Sequence, residues 1–264
     1  MARTDSTRYT FLFAAAVCVA CALLVSVAAV GLREKQETNA RLYRQKNVLL
    51  AAGLVKPGQD LPDRDLLAIF DKNIRIRLVD LKTGELLPQG KIDEKNYDQR
   101  RARNDPQTSR AAPPNEAQIQ RLPNYAAVYL VTPKGDAVEQ VVLPVEGVAM
   151  WGTCYGFIAL DRDGNTVRGL TFYDQKETPG LGGEISNPKW QALWHGRKVF
   201  DAQWQPKLTV IKGSGGPPER EPHRVDALSG ATITSNGVAR MMAFWFSDNG
   251  FGPYLKRFRQ GANS

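Results

Sequence analysis

The first extended pattern along the chain is an uncharged apolar run from Tyr9 to Leu32. As a helix rising 1.5 Å per residue it would be about 36 Å long, enough to cross a hydrocarbon core of about 30 Å with some tilt. A cleaved signal peptide has a shorter apolar core, of about 7–15 residues, so the run predicts a retained single-pass transmembrane helix. From Glu34 to Val55 the apolar positions thin to an interrupted face, Leu42, Val48, Leu49 and Ala52. That face predicts a stalk helix, closed by Gly53 and Pro57-Gly58. Pro62-Asp63 opens a short helical pattern through Leu66, Leu67 and Phe70, and Ile74-Arg75-Ile76-Arg77-Leu78-Val79 alternates as a half-buried strand does. Between Leu86 and Pro123 the composition turns polar, with Asn104-Asp105-Pro106 and Pro113-Pro114. An exposed insertion is expected there, carrying a short helix near Ala117 to Leu122.

Beyond Ala126 the apolar pattern is denser. Val128 to Val131 and Ala137 to Leu143 read as strands separated by the turn sequence Pro133-Lys134-Gly135-Asp136. Gly156 to Leu160 and Val167 to Tyr173 flank Asp161-Arg162-Asp163-Gly164-Asn165, where Gly and Asn tolerate the positive φ of a hairpin turn. Lys207 to Lys212 reads as a further strand. Val238, Met241, Met242 and Trp245 at helical spacing predict a helix over about residues 235 to 247. Strands and helices mix without a regular β-α-β rhythm, so the fold class is α+β. The expected organisation is a tail and transmembrane helix over residues 1–33, a stalk and the N-terminal part of the soluble domain over 34–125, and the main functional domain over 126–264.

With 264 residues, 42% of them apolar and 23% charged, the chain has the means to bury a sizeable core. The formal net charge of +8 is spread out rather than gathered in an aromatic-interleaved basic stripe, and no zinc-finger or helix-turn-helix signature appears. Nucleic-acid binding is therefore not expected. Arg33, Lys35, Arg41, Arg44 and Lys46 follow the apolar run directly, where lipid headgroups and solvent are the natural partners. Counted with Arg3 and Arg8 ahead of the run, they would place the C-terminal domain in the cytoplasm, but that rule weakens for a long domain. Cys18 and Cys21 form a C-x-x-C inside the apolar run, where thiols behave as small hydrophobes. Cys154 is left alone and reads as a buried, inert thiol. With His195 and His223 the only histidines, no protein-held metal site is expected. No nucleotide-binding Gly-x-Gly-x-x-Gly unit follows a strand, and no triad or paired-carboxylate signature is present, so no catalytic residue is assigned.

The chemically informative segment runs from Val225 to Val238, with Asp226-Ala227-Leu228-Ser229-Gly230-Ala231-Thr232 at its heart. Ser229, Thr232, Thr234 and Ser235 present hydroxyls just ahead of the predicted helix, and Gly230 and Ala231 leave room for a bulky group at the backbone. A helix start offers free N–H groups and a partial positive charge, which suits a phosphate. The same residues also make an ordinary Ser/Thr-rich turn with Thr234 or Ser235 as N-cap, although no Glu or Gln follows three residues later to close a capping box. From the residue types alone both readings stand. Glu177-Thr178-Pro179-Gly180-Leu181-Gly182-Gly183 is a Pro-Gly turn with three glycines, either a plain loop or a backbone open to a flat ring.

Asp-x-x-Ser-Gly-Ala-Thr resembles the flavinylation motif of FMN-binding subunits. Together with the single N-terminal span, the Gly147-Val148-Ala149-Met150-Trp151-Gly152 segment and the Glu177 to Gly182 loop, the chain resembles, over nearly its full length, the C-subunit family of the sodium-translocating NADH:quinone reductases, Nqr. A related Rnf-type G subunit is the nearest alternative, and a flavin-free, membrane-tethered assembly module is the alternative of another class. The resemblance implies a covalent FMN whose phosphate is esterified to Thr232 by a dedicated flavin transferase, with Asp226, Ser229, Gly230 and Ala231 completing the recognition signal. Asp226 reads equally well as a turn-former. Thr178, Gly180, Leu181 and Trp151 would approach the isoalloxazine ring, Trp151 being equally readable as core, and Lys212 would offset the phosphodiester charge. The implied function is electron transfer within a bacterial inner-membrane complex that oxidises NADH, reduces ubiquinone and exports sodium. Its other subunits would be partners, and the flavin domain would lie on the periplasmic side.

Overall fold

The computed structural model describes residues 7–133, 135 and 137–261; the expectations stated above for Arg3, Lys134 and Asp136 fall outside them. Two compact units are present, Met1–Tyr43 and Arg44–Ser264. Helix α1, Thr7–Ala51, joins the apolar run and the expected stalk in one continuous element. Its first part is the only helix among the described residues long and apolar enough to cross a membrane, and Phe11, Leu12, Leu24, Val27 and Val30 on it are exposed.

The second unit opens with the last turns of α1, where Asn47, Val48, Leu49 and Ala51 are buried. Helix α2, Asp63–Asn73, begins after Pro62 with Asp63 and Asp65 in its first turn and Lys72 in its last. Both signs complement the helix dipole. Leu66 and Phe70, four positions apart on one stripe, are its buried residues. Strand β1, Ile74–Asp80, follows directly. The short helix α3, Gln99–Asn104, starts where the Asp98 carboxylate accepts the Arg101 N–H at 3.0 Å. Strands β2, Ser109–Ala111, and β3, Arg121–Pro123, then pair antiparallel.

The segment expected as an exposed insertion is built into the domain. Leu87, Ala117, Ile119 and Leu122 are buried, and residues 117–122 form no helix. The Asn115 side chain binds both the N–H and the C=O of Ile119, and Gln118 takes a positive φ of 55°. Ala117 and Ile119 therefore point inward while Gln118 and Gln120 face solvent, a two-residue period hidden in a polar composition.

Strands β4, Tyr125–Val131, β5, Gln140–Val148, β6, Thr153–Asp161, and β7, Val167–Asp174, complete a five-stranded antiparallel sheet in the order β1-β4-β5-β6-β7. Alternation sorts its side chains cleanly. Val142, Phe157 and Ala159 pack with Val48, Leu49, Ala51 and Phe70 on one face. Val141, Leu143, Val145, Ile158 and Leu160 join the larger core on the other.

After β7 come a 3-10 turn, Gly182–Ser186, and helix α4, Pro188–Ala192. Strands β8, Thr209–Ile211, and β9, Arg224–Asp226, form a small parallel pair, so the strand expected over Lys207 to Lys212 is shorter at both ends. Lys207 and Leu208 instead give their N–H groups to the Val199 carbonyl. Helices α5, Thr232–Trp245, and α6, Gly252–Phe258, follow. Val238, Met241, Met242 and Trp245 of α5 are buried in the larger core, and Trp245 Nε1 donates to the Glu146 carbonyl on β5 at 2.7 Å. Gly147 and Gly237 let α5 lie close to β5, since a Cβ on Gly147 would stand 3.0 Å from Met241 Cβ and one on Gly237 2.8 Å from Ala149 Cα. This mixed α+β domain, with its antiparallel sheet, fixes the start of α5 against the end of the β5–β6 hairpin.

Candidate functional site

The entry to α5 is made by backbone geometry. Gly230 takes a φ of 73°, and the N-cap is Ala231, with no side-chain capping bond. Thr234 and Ser235, the alternative N-caps of the plain-turn reading, already lie inside the helix. The Ser235 hydroxyl reaches back to accept the Leu228 N–H at 3.0 Å, and the Ser235 N–H makes the first helical bond, to the Ala231 carbonyl. The amides of Thr232, Ile233 and Thr234 precede that bond and have no partner within the helix. With no acidic residue in the first turn, the positive end of the dipole is uncompensated there.

The hydroxyls of this segment divide sharply by exposure. Thr234 and Ser235 are each 1% exposed, whereas Ser229 and Thr232 are exposed. The Thr234 hydroxyl donates to Glu177 Oε2, and Glu177 Oε1 accepts the Trp151 N–H at 2.8 Å. Glu177 is itself buried. The sequence shows it only as the first residue of the glycine-rich loop and assigns it no role, because its partners stand far off in the chain, on the hairpin that ends at Trp151 and on α5. Gly182 completes the junction, because a Cβ there would lie 2.5 Å from Thr234 Oγ1 and 2.7 Å from Glu177 Oε2.

Around this buried junction lies an exposed apolar rim. Met150, Trp151, Leu181 and Ile233 are all exposed, Trp151 the most at 61%, so Trp151 is not a core residue. A Cβ on Gly230 would sit 3.2 Å from Leu181 Cδ2, which places Leu181 beside the turn that carries Thr232. Thr178 and Gly180 lie on the same exposed loop. The Thr178 carbonyl accepts the N–H groups of Leu181 and Gly183, and Gly180 adopts a φ of 74° facing open space.

Two of the residues singled out from the sequence lie to the side of this group. The Asp226 carboxylate accepts the Gly215 N–H at 2.7 Å, and the Asp226 carbonyl accepts Trp190 Nε1. Lys212 follows Ile211, the residue paired with Asp226, and is exposed, with no ion pair among the described residues. Cys154 on β6 is buried, and burial, with Glu177 and Asp174 nearby, pushes its thiol up to about 12. Its burial agrees with the expectation drawn from the sequence. No group of three or more metal-ligating side chains occurs among the described residues.

The site thus offers one exposed hydroxyl on the first residue of a helix, unpaired amides beside it, and exposed apolar side chains a short way off. A phosphate fits the first two features and a flat aromatic ring fits the third. The FMN-binding domain family model matches residues 150–247, which take in Trp151, the Glu177 loop and Thr232. Over 98% of this chain and 95% of the relative, the sequence is 44% identical to the C subunit of the Na(+)-translocating NADH-quinone reductase of Yersinia pestis. The chain belongs to this C-subunit family. The Pseudomonas aeruginosa member is 42% identical over 99% of both chains. The crystal structure of Shewanella oneidensis NqrC superposes with a TM-score of 0.76 at 34% identity, covering 84% of this chain and 99% of that one. The C-subunit structure from Parabacteroides distasonis, at 24% identity and a TM-score of 0.65, shares the fold.

Proposed function

We propose that the chain is the electron-carrying subunit of a sodium-translocating NADH:ubiquinone reductase, anchored in the bacterial inner membrane by α1, with FMN joined through a phosphodiester to Thr232. Bound FMN supplies reversible electron uptake and release, which no side chain of this site provides. The observation that carries the reading is the placement of Thr232: it is exposed at the first residue of α5, whereas Thr234 and Ser235 are buried and the exposed Ser229 lies before the helix. A threonine hydroxyl is a weak nucleophile near neutral pH, so a separate flavin transferase is the natural agent of attachment.

The remaining residues hold and orient. Amides of the first helical turn would hold the phosphate, Ser229, Gly230 and Ala231 keep the turn open, and Lys212 would supply a cation from the side. Trp151, Thr178, Gly180 and Leu181 would line the ring, with Asp226 holding the loop at Gly215 that precedes β9. Arg33 and Lys35, directly after the apolar run, contact lipid headgroups, whereas Arg44 is held by Asp98 at 3.0 Å; the domain from Arg44 onward lies on the periplasmic side, and the other proteins of the complex are its partners. In-gel ultraviolet fluorescence of the denatured full chain, made with and without the transferase, tests the attachment. Fluorescence that needs both the transferase and Thr232 is expected; a dark band under all conditions contradicts the reading and favours a flavin-free tether.

A further inference from the structure

Glu177 is buried without an ion pair among the described residues, and both of its carboxylate oxygens are engaged. One accepts the Trp151 amide at the end of the β5–β6 hairpin, and the other accepts the hydroxyl of Thr234, two positions beyond Thr232. Gly182, with no side chain, lets both groups close against the loop. We propose that Glu177 is a positioning residue that ties the Thr232 attachment point to the exposed Trp151 and Leu181 side chains, and so sets how a flavin held at Thr232 lies against them. This rests on the assignment of Thr232 as the attachment residue.

The geometry explains why a long side chain ending in two polar atoms stands here. Three chain segments meet: the hairpin end, the loop from Glu177 to Gly182, and the first turn of α5. Only a side chain with two polar atoms can bind the amide of one and the hydroxyl of another from within the third. An amide side chain meets the same demand, because Gln accepts the Trp151 N–H through its oxygen and donates its NH₂ to the Thr234 hydroxyl, which also accepts. Alanine meets neither.

The test uses the full chain in detergent, produced with the flavin transferase, as wild type, Glu177→Gln, Glu177→Ala and Thr234→Val. Two readouts are taken: visible circular dichroism of the protein-bound flavin, and hydrogen exchange of residues 149–152 and 177–183 in chain made without the transferase. Glu177→Gln is expected to match wild type in both. Glu177→Ala is expected to change the dichroic spectrum and to lose about tenfold in exchange protection in both segments. Thr234→Val, which removes one bond while keeping the shape, should do the same in milder form and stands in if Glu177→Ala fails to fold. Flavin loaded normally on Glu177→Ala or Thr234→Val with an unchanged dichroic spectrum overturns the proposal while leaving the attachment reading intact. Equal damage from Glu177→Gln and Glu177→Ala also overturns it, since charge rather than tethering would then be at work. Absence of flavin from wild-type Thr232 overturns the attachment reading, and the proposal with it.

Discussion

On one face of the five-stranded sheet, Val142, Phe157 and Ala159 meet the last turns of α1 and Phe70 of α2, and all of these side chains are buried. Thr171 reaches the Asn47 carbonyl across that seam, and a Cβ on Gly169 would collide with the Ala51 carbonyl oxygen. The opposite face is as tightly filled where α5 crosses β5, yet its margin is left open: Met150, Trp151, Leu181 and Ile233 stand exposed around a buried glutamate. Both seams need glycines for close approach and long-range hydrogen bonds for register. Burial runs to completion on the first face and stops short on the second. A closed seam supports stability alone, whereas an open apolar margin around an exposed hydroxyl is equipped to receive something flat.

The difference can be broken first at Thr232. Thr232→Ala should abolish covalent flavin completely, read by fluorescence of the denatured band, while the unfolding free energy stays within about 0.5 kcal/mol of wild type, as for other exposed positions. The reverse pattern is expected on the closed face. Phe157, packed at 5.0 Å against the Tyr173 ring and 5.6 Å from that of Tyr129, should cost about 3–5 kcal/mol when changed to Ala in denaturant titrations. The folded fraction should still carry flavin.

Matched glycine changes sharpen the contrast. Gly169→Ala and Gly182→Ala each force a Cβ into occupied space, and each should destabilise by about 1–3 kcal/mol. Only Gly182→Ala should alter the visible dichroism of the bound flavin, because only its neighbours are Thr234 and Glu177.

The smallest effect lies away from both seams, in the β6–β7 turn. Burial would raise the Asp163 carboxyl, but the hydroxyl and amide of Thr166, the Asn165 amide and Lys198 outweigh it and hold it below the ordinary 3.8. A depressed value means that the folded state favours the carboxylate. Its stabilisation is therefore present above pH 3.8 and lost as the pH falls through the lowered folded value. For a half-exposed group this should amount to about 0.2–1 kcal/mol. Urea midpoints of wild type and Asp163→Asn should differ at pH about 6 and draw together as the pH falls below 3.8.

Much of this was legible in the chain itself. The apolar run, the alternation of β1, the dense apolar stretches of β4 to β7, and the helical spacing of Val238, Met241, Met242 and Trp245 each report a local pattern, and local patterns survive into the fold. The Asp226 to Thr232 motif located the turn before α5. What stayed hidden depended on distant partners. Ala117 and Ile119 are buried through the rest of the core and not through their polar surroundings, and the pairing of β8 with β9 brings together segments separated by a glycine- and proline-rich loop. The start of α5 is set by Gly230 and Ala231 instead of a hydroxyl cap, because Thr234 is drawn to Glu177, 57 residues away, and Ser235 turns back to Leu228. Glu177 was visible as a letter in a glycine-rich loop, and its role appears only once three segments converge on it.

Attachment at Thr232 is tested most directly by mass spectrometry of the tryptic peptide Val225–Arg240 from denatured chain produced with the flavin transferase, since that one peptide holds Ser229, Thr232, Thr234 and Ser235. A gain of one FMN less one water is expected, with fragment ions placing it on Thr232. An unmodified peptide, or the same gain on Ser229, Thr234 or Ser235, would contradict it.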